Sequence, residues 1–131
     1  MSSTYGDKIK ISVFGESHGA GIGVVLDGLP AGARIDLDAV LLQMARRAPG
    51  NDPAATRRRE TDTPEILSGL LNGRTTGAPL AALIRNSDTR SQDYVNLSLV
   101  PRPGHSDFSA FFRYGGWNDI RGGGHFSGRL T

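Results

Sequence analysis

The stretch "ISVFGESHGAG", residues 11–21, decides how the first part of the chain is arranged. The β-branched and aromatic residues from Ile9 to Phe14 favour a strand, and so does the run "IGVVLD" at residues 22–27. Between them the glycines favour a loop that turns back instead of starting a helix. We therefore predict strands over residues 9–14 and 22–27, joined by this loop.

The same loop contains the pattern Gly-x-Ser-x-Gly at residues 15–19, which is typical of the nucleophile elbow of hydrolases. That elbow requires a helix after the serine and an oxyanion hole from another loop. Because the residues after Gly19 favour a strand, we do not expect Ser17 to be a nucleophile. His18 is then the other candidate for the reactive group of the loop.

Composition excludes several classes of protein. The 131 residues are 37% hydrophobic, enough for one domain with a core, and the net charge of +2 does not by itself indicate a polyanionic partner. The absence of cysteine excludes disulfides and thiolate chemistry, and is compatible with a reducing compartment. No apolar run reaches membrane-spanning length, and "MSSTYGDKIK" lacks the apolar region of a signal peptide.

An amphipathic helix is predicted after the turn "DGLPAG" at residues 27–32. Asp36 is placed to cap it, and Arg46 and Arg47 fall in its last turn, where cations suit the helix dipole. Its apolar stripe consists of Leu37, Val40, Leu41 and Met44.

Two further elements are predicted from local signals. Asn72-Gly73 lies between two apolar segments and suits the type I′ turn of a hairpin. Ser106 or Asp107 is placed to cap a short helix over Phe108–Tyr114.

The three histidines, His18, His105 and His125, all lie beside glycine. Glycine-rich loops present side chains to ligands, and histidine is the side chain whose ordinary pKa is nearest neutrality, so these residues are candidates for proton transfer. None of them has a partner at the helical or hairpin spacing of metal ligands, so we predict no metal site.

The arginines are open to three interpretations. They can be a solvated surface, an anion site for phosphate and carboxylates, or a nucleic-acid contact. A small net charge and the absence of aromatic residues among them speak against nucleic acid. They are Arg46–Arg47, Arg57–Arg59, Arg102, Arg121 and Arg129.

Taken together, these segments resemble the N-terminal part of the chorismate synthase family. The resemblance runs through seven ordered segments: "FGESHG", "DGLPAG", "RRAPG", "RRE-D-EILSG", "TTGAPLAALI-N-D-RSQDY", "RPGHSDF" and "YGG-ND-RGGGHFSGR". Any one of them is common, but the ordered set is specific. Because family members are more than twice as long, the resemblance implies that residues 1–131 are the N-terminal part of one such domain, without its C-terminal half.

The resemblance implies a lyase that converts 5-enolpyruvylshikimate 3-phosphate to chorismate and phosphate by anti-1,4-elimination, with reduced FMN as cofactor. It implies an α+β fold, a β-α-β sandwich with helices between antiparallel sheets. It also implies a cytoplasmic homotetramer with no nucleic-acid or membrane partner. A non-enzymatic module that binds anions or RNA remains the alternative.

The family's roles carry over by position. His18 is implied to protonate the departing phosphate, and His105 to manage a proton on the reduced flavin. The implied substrate-binding residues are Arg47, Arg102, Ser127 and Arg129. The implied cofactor-binding residues are Arg47, His105, His125, Phe126 and Ser127. Ala48, Pro53 and His125 stand where the family usually has arginine.

Overall fold

The computed structural model describes residues 3–47, 63–86, 100–119 and 124. The strands are β1 Thr4–Tyr5, β2 Lys10–Gly15, β3 Gly21–Asp27, β4 Glu65–Ser68, β5 Leu70–Leu71, β6 Arg74–Thr75 and β7 Leu80–Arg85. The helices are α1 Leu37–Arg47 and α2 Asp107–Tyr114. The two strands predicted around the glycine-rich loop are confirmed as β2 and β3, and the α+β class is confirmed with them.

Five strands form one antiparallel sheet in the order β1-β2-β3-β7-β4. The central strand β3 pairs with β2 from Gly15↔Ile22 to Lys10↔Asp27, and with β7 from Gly21↔Arg85 to Leu26↔Leu80. The backbone of β3 is thus hydrogen-bonded along both edges, so its register positions the loops at both of its ends.

Gly23 interrupts the apolar run of β3 for a packing reason. Its cross-strand partner is Phe14, and a Cβ added at Gly23 would collide with the Phe14 ring and with the carbonyl of Ala82. A glycine inside a strand often marks such a close approach. The phenyl ring therefore crosses the sheet surface where the glycine leaves room.

Helix α1 begins as the sequence predicts. The Oδ1 atom of Asp36 accepts a hydrogen bond of 3.0 Å from the backbone N–H of Ala39, which satisfies one of the unpaired donors of the first turn. The helix ends at Arg47, so the prediction that Arg46 and Arg47 occupy its last turn is confirmed.

An open apolar groove runs between α1 and the sheet, with a cavity volume of about 500 Å³. Among the described residues, Leu80 and Ala110 are the buried apolar side chains, and many larger ones stay exposed. Much apolar surface of the described chain therefore remains in water, where it does not stabilise the fold. The lining includes Val24, Leu80 and Ala82 of the sheet, Val40 and Met44 of α1, and Ile35 just before it.

The hairpin predicted around Asn72-Gly73 is confirmed. Both residues have positive φ, 51° and 73°, as a type I′ turn requires, and they join β5 to β6. Gly69, at φ 81°, bends the chain between β4 and β5, so that β4 stays in the large sheet while β5 leaves it. A Cβ at Gly69 would meet the backbone of Leu80, which makes this bend specific to glycine.

Thr75 ties this hairpin to the segment before α1. Thr75 is buried, with 4% of its surface exposed, and its hydroxyl donates to the carbonyl of Pro30 at 2.6 Å and accepts from the N–H of Ala33 at 2.9 Å. The backbone N–H of Ile35 also donates to the carbonyl of Gly73 at 2.9 Å. The segment just before α1 is thus held by hydrogen bonds to Gly73 and Thr75, which follow it by about forty positions in the sequence.

Helix α2 matches its predicted range, but the predicted cap is wrong. Ser106 occupies the N-cap position without a side-chain cap hydrogen bond, and the carboxylate of Asp107 turns back to Arg102 instead. At the other end Gly115 adopts a left-handed conformation, and the N–H of Gly116 donates to the carbonyl of Phe111 at 2.9 Å. Neither described helix has the length and apolar character needed to cross a membrane.

We expect Asp36→Ala to lower the free energy of unfolding by about 1 kcal/mol, because the Ala39 N–H loses its acceptor. Asp36→Asn keeps an oxygen at the same position and serves as the matched control. Urea unfolding of both variants measures the difference. Equal losses in the two variants would show that charge, and not the cap, matters at this position.

Candidate active site

The glycine-rich loop leaves β2 at Gly15 and enters β3 at Gly21. Gly15 has φ 111°, and a Cβ there would run into the carbonyl of Gly21, so the two ends of the loop approach as closely as only glycine allows. Inside the loop the N–H of Gly19 donates to the carbonyl of Glu16 at 3.0 Å. The result is a compact turn with His18 near its tip.

Asn86, the residue after β7, holds this loop in place. Its Nδ2 atom donates to the carbonyl oxygens of Glu16, Ser17 and Gly19 at 3.4, 3.2 and 2.7 Å. Its backbone N–H donates to the carbonyl of Ala20 at 3.1 Å. Sequence reasoning placed Asn86 inside a resembling segment but gave it no role, because only the β3–β7 pairing brings it to the loop.

Gly124, more than a hundred positions further along the chain, contacts the same loop. The carbonyl of Gly124 accepts a 2.8 Å hydrogen bond from the backbone N–H of Ser17. Gly124 is buried with φ 55°, and a Cβ there would collide with the carbonyl of Asp119. Ser17 and Gly124, far apart in sequence, are therefore joined through their backbones.

His18 is buried, with 6% of its surface exposed, whereas its neighbours in the loop are half-buried. A buried polar side chain on a loop is unusual, because such groups are normally left in water. The loop therefore packs the imidazole of His18 into the molecule and does not display it on the surface.

The segment "RPGHSD" folds into a tight turn before α2, held by three side chains. The guanidinium of Arg102 donates from Nε to Oδ2 and from Nη2 to Oδ1 of Asp107, both at 2.8 Å. His105 contributes Nδ1, which lies 2.6 Å from Oδ1 of Asp107. A two-pronged arginine–carboxylate contact is among the stronger polar contacts in proteins, so this turn has a defined geometry.

The hydrogen bonds from Arg102 hold the pKa of the Asp107 carboxyl well below its ordinary value of 3.8, against the opposing effect of burial. The nearby charges of Arg102 and His105 act in the same direction as these bonds. Asp107 is therefore ionised throughout the neutral range and is an acceptor at both oxygens.

A sequence model of chorismate synthase matches residues 9–131 of this chain. The chain belongs to the chorismate synthase family. It is 50% identical over 129 residues to the chorismate synthase of Chitinophaga pinensis and 48% identical over 126 residues to that of Thermococcus kodakarensis. These alignments cover 98% and 96% of this chain but 39% and 35% of the two relatives, so the chain spans well under half of their length.

A crystal structure of chorismate synthase superimposes on this chain with a TM-score of 0.60 and 30% sequence identity. The superposition covers 88% of this chain and 27% of the chorismate synthase chain in that structure. The antiparallel sheet and the two helices therefore follow a chorismate synthase fold, as the resemblance implied.

The structure describes some of the predicted site residues and not others. Of the histidines it describes His18 and His105; of the arginines, it describes the side chain of Arg102 and places Arg47 as the last residue of α1. The remaining predicted residues of the chorismate synthase site, His125, Phe126, Ser127 and Arg129, lie outside the described residues. Within the described ranges no three His, Cys, Asp or Glu side chains are placed to hold a metal ion.

We expect Asn86→Asp to loosen the glycine-rich loop, because it removes the donor shared by three carbonyls and puts negative charge beside them. Leaving these groups unsatisfied should cost about 1–3 kcal/mol of stability. Amide hydrogen exchange at Ser17 and Gly19 should quicken. Asn72→Asp, the same change at the exposed hairpin turn, is the control, and unchanged exchange in the loop would contradict the role given to Asn86.

Acid should weaken the "RPGHSD" turn. A carboxyl whose pKa is depressed in the folded state contributes stability above its unfolded value, here about 3.8, and loses it as the pH falls further. Asp107→Asn should therefore remove this acid-dependent loss, measured as urea unfolding midpoints from about pH 6 down to about pH 2.

The control is Glu65→Gln, which breaks the exposed pair of Glu65 with Arg85. Exposed pairs contribute little, so this variant should keep the acid dependence of the wild type. An unchanged acid limb in Asp107→Asn would show that the turn is not held by the ionised carboxylate.

Proposed function

We propose that this chain provides part of the active site of a chorismate synthase, which converts 5-enolpyruvylshikimate 3-phosphate to chorismate and phosphate with reduced FMN. The observation that carries the proposal is the family match over residues 9–131, which includes both histidine loops. The reaction is an anti-1,4-elimination, and the whole enzyme would be a cytoplasmic homotetramer without nucleic-acid or membrane partners.

His18 is the proposed general acid for the departing phosphate. A phosphate leaves more easily when it is protonated, and histidine ordinarily titrates close to neutral pH. The structure supports the assignment in two ways: His18 is buried, and its loop is held by Asn86 and by Gly124. A general acid that is held in this way loses little entropy when it reacts.

His105 is the proposed partner of the flavin. Reduced FMN bound beside it would supply electron density for the departure of the phosphate. In the described part of the chain nothing bonds to Nε2 of His105, and its imidazole is partly exposed, so this nitrogen is suited to contact a ligand. His125, Phe126 and Ser127, together with Arg47, are the other residues proposed to hold the cofactor.

The substrate carries a phosphate and two carboxylates, which the arginines are proposed to bind. Arginine matches both groups with paired N–H donors. Arg47, Arg129 and Ser127 are proposed as direct contacts. Arg102 is proposed to contribute mainly its charge, because its Nε and Nη2 atoms already bind Asp107.

The test uses a chimera in which residues 1–131 replace the matching segment of the Chitinophaga pinensis chorismate synthase. With reduced FMN and substrate it should form chorismate, whereas the 131-residue chain alone should form none and bind FMN weakly at best. An inactive but folded chimera, or salt-sensitive RNA binding by the chain with no response to FMN, would overturn the proposal.

In the active chimera, His18→Ala should lower the turnover number by about 10² to 10⁴-fold, the usual contribution of a general acid. Ser17→Ala is the matched control and should keep substantial activity, because Ser17 holds Gly124 through its backbone N–H, which alanine retains. Equal losses would show that the loop is misassigned. Inactivation by a serine-directed phosphonate would restore the hydrolase interpretation.

A further inference from the structure

Asp107 lies beside a proposed catalytic histidine and has no role in the function proposed above. It accepts from the backbone N–H of Arg102 at 3.0 Å and from Nε at 2.8 Å through Oδ2. Through Oδ1 it accepts from Nη2 of Arg102 at 2.8 Å and faces Nδ1 of His105 at 2.6 Å. Each carboxylate oxygen thus has two nitrogen partners, which leaves the group little room to rotate.

We infer that Asp107 is a positioning residue: held by Arg102, it keeps the hydrogen of neutral His105 on Nδ1 and leaves Nε2 as the nitrogen that exchanges a proton with a ligand. The catalytic part of this inference rests on the proposed function. The assignment of the tautomer rests on the geometry alone and is independent of the proposed function.

The distances decide which ring nitrogen carries the hydrogen. An ionised carboxylate only accepts, so a contact of 2.6 Å from Oδ1 to Nδ1 requires a hydrogen on Nδ1. The alternative is that Nη2 of Arg102 donates to an unprotonated Nδ1, at the longer distance of 3.2 Å. That arrangement would set two acceptors, Oδ1 and an unprotonated Nδ1, against each other at 2.6 Å, which costs more than the long contact with Nη2 could return.

The backbone supports the same geometry. The N–H of His105 donates to the carbonyl of Arg102 at 3.2 Å, and Gly104 turns the chain with φ 72°. Asp107 is also the first residue of α2, so its Cα is fixed by the helix. The position of His105 is therefore fixed both by the contact of Nδ1 with Asp107 and by the hydrogen bond of its backbone N–H.

The consequence for chemistry is a defined direction of proton transfer. Nε2 takes up one proton through its lone pair, and the imidazolium that forms is stabilised by the negative charge of Asp107. The same atom then releases the proton. An imidazole oriented by a carboxylate through its other nitrogen is a recurrent arrangement for proton transfer.

The tautomer is measurable by two-bond ¹H–¹⁵N correlation spectra of the 131-residue chain. At about pH 9, above the ordinary titration range of histidine, His105 should show its hydrogen on Nδ1. Observation of the hydrogen on Nε2 in the unmodified chain would overturn the inference without any variant. This measurement needs neither flavin nor substrate, so its outcome is separate from that of the chimera.

Asp107→Asn should invert the tautomer while keeping the shape of the side chain. The amide oxygen will take the Oδ2 position, where two donors of Arg102 converge, since the opposite orientation would set an NH₂ group against both. The NH₂ group then faces Nδ1, which must accept, so the hydrogen moves to Nε2. Retention of the Nδ1–H tautomer in this variant would contradict the assignment. Glu65→Gln is the control and should leave the His105 signals in place.

In the active chimera, Asp107→Asn should lower the turnover number by about 10²-fold or more with little change in KM for the substrate, because the proton-exchanging nitrogen is blocked. A rise in KM for the substrate of about the same size, with an unchanged turnover number, would show that Asp107 supports substrate binding and not the orientation of His105.

Discussion

The pairing of β3 along both of its edges is the constraint on which the described structure depends. Its register with β7 sets Gly21 opposite Arg85, so Asn86, the residue that follows β7, lies beside the loop that precedes β3. The side-chain amide of Asn86 then reaches three carbonyls of that loop. A slip of one residue would turn the Asn86 side chain to the other face of the sheet, and the loop of His18 would lose its anchor.

In the described residues, hydrogen bonds join the hairpin to α1, whereas apolar packing between α1 and the sheet is incomplete. Thr75 and the backbone around it join the β5–β6 hairpin to the start of α1, yet the groove between α1 and the sheet remains open. Burial of apolar area contributes roughly 25 cal/mol per Å², and the groove leaves that contribution unused. The glycine loops need rigid neighbours to stay ordered, since glycine loses more backbone entropy on folding than any other residue. This is the physical reason to expect no turnover from residues 1–131 by themselves.

The two described histidines are held by different means. His18 is buried on a loop fixed by backbone and amide hydrogen bonds, whereas His105 is held by an ionised carboxylate that an arginine fixes in turn. The imidazole of His18 is thus enclosed by the protein, whereas that of His105 is partly exposed and faces a carboxylate.

Local signals in the sequence determined the strands around the first loop, the helix capped by Asp36, the Asn72-Gly73 turn and the extent of α2. Each depends on residues within a few positions of one another, so the sequence alone is sufficient for them. The ordered segments also identified the family. Only the tertiary structure decided that Asn86 holds the loop of His18, that Gly124 meets Ser17, and that Gly69 sends β5 out of the sheet. It also decided that the carboxylate of Asp107 binds Arg102 and does not cap α2. The paired donors of a guanidinium bind a carboxylate more strongly than a single backbone N–H does. These contacts depend on strand register and on donors brought together in space, which spacing along the chain does not specify.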